Sequence, residues 1–221
     1  MTGSIVGQLV LKDLYLTRWI AAGTMLAGLI ALAIAPLGST AFYVGSVSFV
    51  CVQIVLIVFL VTVGVVQEKK DKALLFILSL PVSTTQYTFA KMAANFIAYF
   101  VPWLLLTATC LAIIFASDIP DGMMPAVTAI SLYFLCYYCV LLAVAIATES
   151  ATWIPVVIVI GNVLINFFIP LVFRLPSGAN LSSGSSTWGL DILAVLALEI
   201  ALSAAALAIG FLAQTRKKNF V

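Results

Sequence analysis

Apolar residues in this chain come in long runs with few polar interruptions, Gln53 among them, and with no alternation of apolar and polar positions. Six such runs cover residues 19–37, 42–66, 84–116, 126–148, 153–173 and 190–213. A helix of about 20 apolar residues crosses the hydrocarbon of a bilayer. A span must also satisfy its own backbone polar groups, which selects helix over any open sheet. The pattern therefore predicts an all-α integral membrane protein: one transmembrane domain over residues 1–221 with six transmembrane helices. The third run exceeds one bilayer, so its first turns should stand in water, and Pro102 within it marks a site for a kink. Ahead of the first run, residues 4–18 read as a helix with Ile5, Leu9 and Leu16 on one side and with Asp13 as an interruption. That partial amphipathicity predicts an N-terminal interfacial helix; the alternative is a helical extension of the first span. It does not read as a secretory signal peptide, because Asp13 sits where a basic region belongs.

Charge breaks the pattern at one place. Glu68, Lys69, Lys70, Asp71 and Lys72 follow the second run and cannot enter hydrocarbon together. A short apolar stretch at residues 73–80 comes next and stops at Pro81, which cannot continue a helix from within. Ser83 and Gln86 then form an S-x-x-Q capping box that opens the next helix. The pattern predicts a short helix folded back at the membrane surface between the second and third spans.

Basic residues give the orientation. Lys12, Arg18, Lys69, Lys70, Lys72, Lys91, Arg216, Lys217 and Lys218 fall on one side of a six-span chain, and only Arg174 falls on the other. By the positive-inside rule that side is the cytoplasm, with both termini there. The loop at residues 117–125 carries Asp118 and Asp121 and no basic residue, as an outer loop should.

Composition narrows the chemistry. The chain is 64% hydrophobic and 8% charged, against roughly 25% charged in a soluble domain. Its net charge of +2 argues against nucleic acid as a partner and leaves membrane lipids as the surroundings. There is no histidine, which excludes His-based zinc sites and His acid–base catalysis. Cys136-x-x-Cys139 has redox spacing but lies inside a span, where a free Cys packs as a small hydrophobe. No G-x-x-x-x-G-K-[ST] run occurs, so this sequence has no phosphate-cradling loop for ATP. An intramembrane enzyme would need paired catalytic groups at depth, and Glu199 is the one carboxylate there.

The segment at residues 67–92 resembles the cytoplasmic coupling region of ABC-2 type transporter permeases. In that family an acidic residue ends the second span, then come a short apolar helix, Pro-Val-Ser, and a Lys opening the third span. Glu68, residues 74–80, Pro81-Val82-Ser83 and Lys91 stand in that order here, while Lys72-Ala73 occupies a place where the family has Gly-Thr or Gly-Ser. The resemblance implies a permease subunit of an ABC exporter in the bacterial cytoplasmic (inner) membrane. It implies two copies of an ABC ATPase subunit as partners, with ATP and Mg held there and no cofactor in this chain. It also implies a second permease chain, as a homodimer, and an amphipathic small molecule, peptide or lipid-like substrate. ATPase coupling would fall to Glu68, Lys72, Leu75, Leu78 and Pro81, and to Glu149 in the short loop between the fourth and fifth spans. Two alternatives stay open: the membrane subunit of a haem exporter of cytochrome c maturation, and a membrane assembly protein without transport.

Three polar residues at membrane depth are candidates for a translocation path or a helix interface. Asn162 and Asn166 share one helical face at i, i+4. Glu199 is either a protonated carboxyl bonded to a neighbouring helix or a charge facing the path. The small residues from Ser203 to Gly210 favour close packing of the sixth span. Asn162, Asn166, Pro170 and Pro176 leave the fifth span either broken, with short re-entrant helices after it, or continuous into a loop.

Overall fold

The computed structural model describes residues 2–67, 83–148, 152–179 and 183–215. The regular structure among them is helical: α1 (Thr2–Ile34), α2 (Ser39–Val61), α3 (Thr84–Ala116), α4 (Met124–Thr148), α5 (Trp153–Arg174), the one-turn α6 (Pro176–Ala179) and α7 (Leu190–Thr215). All but α6 are long and apolar enough to cross a membrane, which makes six candidate spans. Residues 68–82, where the short coupling helix is expected, lie outside the described residues.

The first helix departs from the expected division into an interfacial helix and a span. α1 runs without a break from Thr2 to Ile34. Its first half is tied to the bundle: Leu14 packs on the main core and Thr17 is buried. Lys12 and Asp13 lie within electrostatic reach of Lys91 on α3. A helix anchored in this way continues its own axis, as the helical-extension alternative has it. Arg18 stacks 3.6 Å from the ring centre of Tyr15 and 5.1 Å from that of Trp19. Such cation–aromatic groups suit the level of lipid headgroups.

Tight geometry joins α1 to α2. A 3-10 turn at Ala35–Leu37 leads into Gly38, whose φ of 147° and ψ of 175° suit only glycine. Beyond it the two helices touch backbone to backbone. A Cβ on Gly45 would fall 2.7 Å from the Ala31 carbonyl oxygen. α2 then ends in a π-helical turn, Thr62–Gln67, that leads into the segment outside the described residues. α3 opens as its sequence predicts. Ser83 Oγ accepts from the Gln86 amide at 3.2 Å, and Gln86 Oε1 accepts from the Ser83 amide at 3.2 Å. Pro102 does not divide α3 into two helices.

The bundle is built around α4. Of its most apolar window, 72% is buried, against 17% in α5 and in α7. α7 has the most extensive contact with it, and α2, α3 and α5 pack around the rest. The outer faces of α5 and α7 expose Val159, Phe167, Ile200 and Ile209, as surfaces bathed in lipid do.

Three connections gather at one end, here termed the loop end. They are the α1–α2 turn, the α3–α4 loop and the α5–α7 loop. The Gly122 amide donates to the Ser183 carbonyl at 3.0 Å, joining the second to the third. α5 is one continuous helix with Pro170 inside it, and the loop after it is ordered by Asp191. Asp191 accepts from the Ser177 hydroxyl at 2.6 Å and the Ser177 amide at 2.9 Å, and the Ser177 hydroxyl accepts from the Gly189 amide. The loop therefore carries one short turn of helix among its described residues and no pair of re-entrant helices. The π-turn, the start of α3 and the end of α4 lie at the opposite end, termed the hairpin end.

Candidate functional site

Glu68, Lys72, Leu75, Leu78, Pro81 and Glu149 lie outside the described residues. What the structure does describe is the part of the bundle on which the 68–82 segment is mounted. There, α2, α3 and α4 share a buried column of polar groups. The first link is at the π-turn, where Gly64 packs against the Asn95 side-chain oxygen so closely that a Cβ would collide with it. Asn95 is 2% exposed, and its Nδ2 donates to the Lys91 carbonyl at 2.9 Å. Its own carbonyl accepts from the Tyr138 hydroxyl at 2.7 Å. The Tyr138 ring stacks on Tyr99, with centroids 4.1 Å apart. The Tyr99 hydroxyl makes a long 3.5 Å contact with Gln53 Oε1, while Gln53 Nε2 has no partner among the described residues. Gln53, Tyr99 and Tyr138 are fully buried.

This column has a physical consequence. Contacts between apolar side chains permit sliding, whereas hydrogen bonds between named atoms fix a register. The π-turn adds to this, because such turns widen the helix locally and occur at functional positions. Sequence reading singled out Lys91 but missed Asn95, one turn further along the same face, and read Gln53 only as an interruption. The available signal was spacing: Lys91, Asn95 and Tyr99 recur at i, i+4, i+8, which puts them on one side of α3.

The second polar group lies on the opposite side of α4. Glu199, Ser203 and Gly210 of α7 are buried at the α4–α7 seam. A Cβ on Gly210 would meet the Ala143 Cα at 2.9 Å, so small residues bring the two backbones together. The Ser203 hydroxyl donates to the Glu199 carbonyl at 2.7 Å and lies beside the Cys136 and Cys139 thiols. Both cysteines are free, with Cys139 buried in the core. Glu199 is 5% exposed, and neither carboxyl oxygen has a hydrogen-bond partner among the described residues. Tyr133 and Cys136 are its electrostatic neighbours.

Asn162 and Asn166 are not brought to either cluster. Asn162 Nδ2 donates to the Ile158 carbonyl of its own helix at 2.8 Å and lies 3.5 Å from the Tyr137 hydroxyl. Asn166 is exposed and donates to the Asn162 carbonyl at 2.8 Å. Two tyrosines of α4 hold α5 in place. Tyr133 donates to the Gly161 carbonyl at 2.8 Å, and Tyr137 to the Ile158 carbonyl at 3.0 Å. The Tyr137 ring fills the space a Cβ on Gly161 would need.

Removing polar groups from the column should separate its partnered hydroxyl from its unpartnered amide nitrogen. Tyr138→Phe deletes the donor to the Asn95 carbonyl and should cost about 0.6–2 kcal/mol, the range for hydrogen bonds between membrane helices. Gln53→Leu removes a buried Nε2 that has no partner among the described residues but also the acceptor in the long Tyr99 contact, so it is combined with Tyr99→Phe, which removes the other end of that contact. The double variant should leave stability unchanged or raised. Thermal melts of the purified chain in detergent should therefore rank Gln53→Leu/Tyr99→Phe at or above wild type and Tyr138→Phe below it. A double variant that melts lowest of the three contradicts this assignment.

The family comparison covers both clusters. A family model described as ABC-2 family transporter protein matches residues 34–212. No curated protein and no solved structure matches the chain. The match runs from the end of α1 almost to the end of α7, across both polar clusters, and the chain belongs to the ABC-2 family of transporter membrane proteins.

Proposed function

We propose that this permease exports an amphipathic small molecule, peptide or lipid-like compound from the cytoplasm, driven by two copies of a separate ATPase subunit. The observation that carries this reading is the family match across six candidate spans. The sequence itself contains no P-loop run, which assigns nucleotide work to the partner. The transporter is read as a homodimer in the bacterial cytoplasmic membrane. ATP and Mg belong to the ATPase, and no cofactor belongs to this chain.

In this reading, residues 68–81 dock into a groove on the ATPase, with Leu75 and Leu78 as apolar anchors and Glu68, Lys72 and Pro81 framing them. An apolar stretch between charged residues and a proline, held at a water surface, calls for a partner to cover it. Glu149 serves a second contact. Closure of the ATPases on ATP would push this segment, and its two roots are the π-turn and the capped start of α3. Gly64 and Asn95 couple the first root to the second, so the push is passed to α3 and α4 as one unit. The ATPase itself supplies the test. Leu75→Asp or Leu78→Asp should release the co-purifying ATPase, or leave hydrolysis without transport, while the chain still inserts. Normal assembly and normal transport in both variants would remove residues 68–81 from the mechanism.

Orientation has its own test. With nine of ten basic residues on one side, both termini are read as cytoplasmic and the loop end as external. Single cysteines at Asn219 and Ser183, in a background without native cysteines, should label from opposite sides of intact cells. Labelling of both from outside overturns the orientation.

Glu199 is read as an acid kept for transport. An acidic side chain near mid-membrane costs about 2.5–3.5 kcal/mol on insertion scales. Its carboxyl receives no hydrogen bond from the described residues in return. Folding therefore gains nothing from it, and Glu199→Leu should melt at or above wild type. If the acid acts in transport, both Glu199→Leu and Glu199→Gln should lose export, or substrate-stimulated ATPase activity, with stability intact. Unchanged export in both variants would remove Glu199 from function.

A further inference from the structure

We infer that a cavity at the loop end, lined by α1, α2, α3 and α4, the α3–α4 connection and Phe173 of α5, binds the acyl chain of a bilayer lipid. The cavity measures about 200 Å³. An apolar cavity of roughly 150 Å³ already admits benzene, so this one holds a segment of hydrocarbon chain. Leu32, Phe49, Ile113, Val127 and Ile130 line it, and no charged side chain does. Its polar side chains are limited to the hydroxyls of Ser46 and Ser131 and the thiol of Cys110, and the rest of its wall is apolar.

Size and setting select the occupant. A helix with its side chains is about 10–12 Å across, far too wide for this space, which rules out insertion of a span from another protein. The surrounding long helices are all candidate spans, so the medium next to the cavity is lipid. Ile113, Val127 and Ile130 are only partly buried, so the lining is continuous with the outer surface. Ser131 adds an independent sign of a ligand. It is 1% exposed, its carbonyl accepts from Trp103 Nε1 at 2.8 Å, and its hydroxyl has no partner among the described residues. A hydroxyl left in that state is costly, and one ester carbonyl on an entering lipid would satisfy it. The site therefore takes an uncharged, mainly hydrocarbon group with at most one oxygen at depth, and it refuses a charged headgroup.

The inference needs neither the ATPase nor transport, so it stands or falls apart from the function proposed above. The purified chain is placed in phosphatidylcholine vesicles containing phosphatidylcholine with a diazirine on its acyl chain. It is then irradiated, digested and mapped by mass spectrometry. Adducts at Ile113, Val127 and Ile130 should exceed those at the lipid-facing Leu202 and Ile209 of α7 several-fold. They should also saturate as the labelled fraction rises, while the α7 adducts grow in proportion. Val127→Phe fills the cavity and should reduce adducts at Ile113 and Ile130 several-fold without changing those at Leu202. Should that variant fail to insert, saturation in the wild-type protein decides. Cavity labelling no stronger than on α7, or rising in proportion with it, overturns the site.

Discussion

In hydrocarbon, a polar group deep inside the bundle has no water to fall back on, and α4 is where this constraint is concentrated. It is the most buried of the six candidate spans and carries Tyr133, Tyr137 and Tyr138 within two turns. Each hydroxyl is answered by a main-chain carbonyl of a neighbouring helix: Gly161, Ile158 and Asn95 respectively. Main-chain carbonyls inside a helix already accept one bond, and their second lone pair is free to take another. The tyrosines therefore tie α4 to α3 and α5 without demanding polar side chains from those helices. The outer surfaces of α3 and α5 can then remain apolar toward lipid. Without these bonds, bundle contacts would be apolar on both sides, and apolar packing in lipid has no hydrophobic drive behind it.

The same helix meets α7 by a different device. There the seam is closed by small residues, with Gly210 set against Ala143 and Ser203 folded back on the Glu199 carbonyl. Close backbone approach gains dispersion contacts that a bilayer tail would not supply as well. Glu199 is the exception in this seam, a costly group whose removal the packing would tolerate. In the reading proposed above, Glu199 is such a group kept because function outweighs stability.

The spans were legible because hydrocarbon thickness imposes a length on every apolar run, and each of the six runs has a helix over it. The Ser83–Gln86 capping box was legible because its chemistry is local: two side chains, two amides, three residues apart. Much less legible was which face of each helix turns inward. In α2 and α4 the apolar residues run all round the helix, so periodicity cannot point to the core. That is why Tyr138 and Gln53 were invisible as partners, and why Asn95 was missed although Lys91 stood one turn away. The continuity of α1 was hidden for a related reason. Leu14 and Thr17 look like one side of a weakly amphipathic helix, and only the position of α3 shows that this side is covered by protein. The coupling residues Glu68, Lys72, Leu75, Leu78 and Pro81, with Glu149, rest on the family resemblance and lie outside the described residues.

In the function proposed above, force from the ATPase would enter this bundle through the π-turn and the polar column. Proteins switch between discrete packings because dense interfaces are bistable and do not deform smoothly. A segment levered from outside can select between packings only if its root moves with the core. At the α2 root, a regular helical turn would unwind without disturbing its neighbours. A π-turn pinned by Gly64 against Asn95 cannot move without displacing the Asn95 side chain. The carbonyl of that same residue holds the Tyr138 hydroxyl, and Tyr138 is stacked on Tyr99 beside Gln53. Displacement at the root would therefore reach the centre of α4 through Asn95 and the Tyr138 hydroxyl, and the ring stack would carry it on to Tyr99 of α3. The partnerless Nε2 of Gln53 at the far end of the column is consistent with this view. A donor left open in one packing has a bond to gain in another, which gives the second packing a favourable contact that the first lacks.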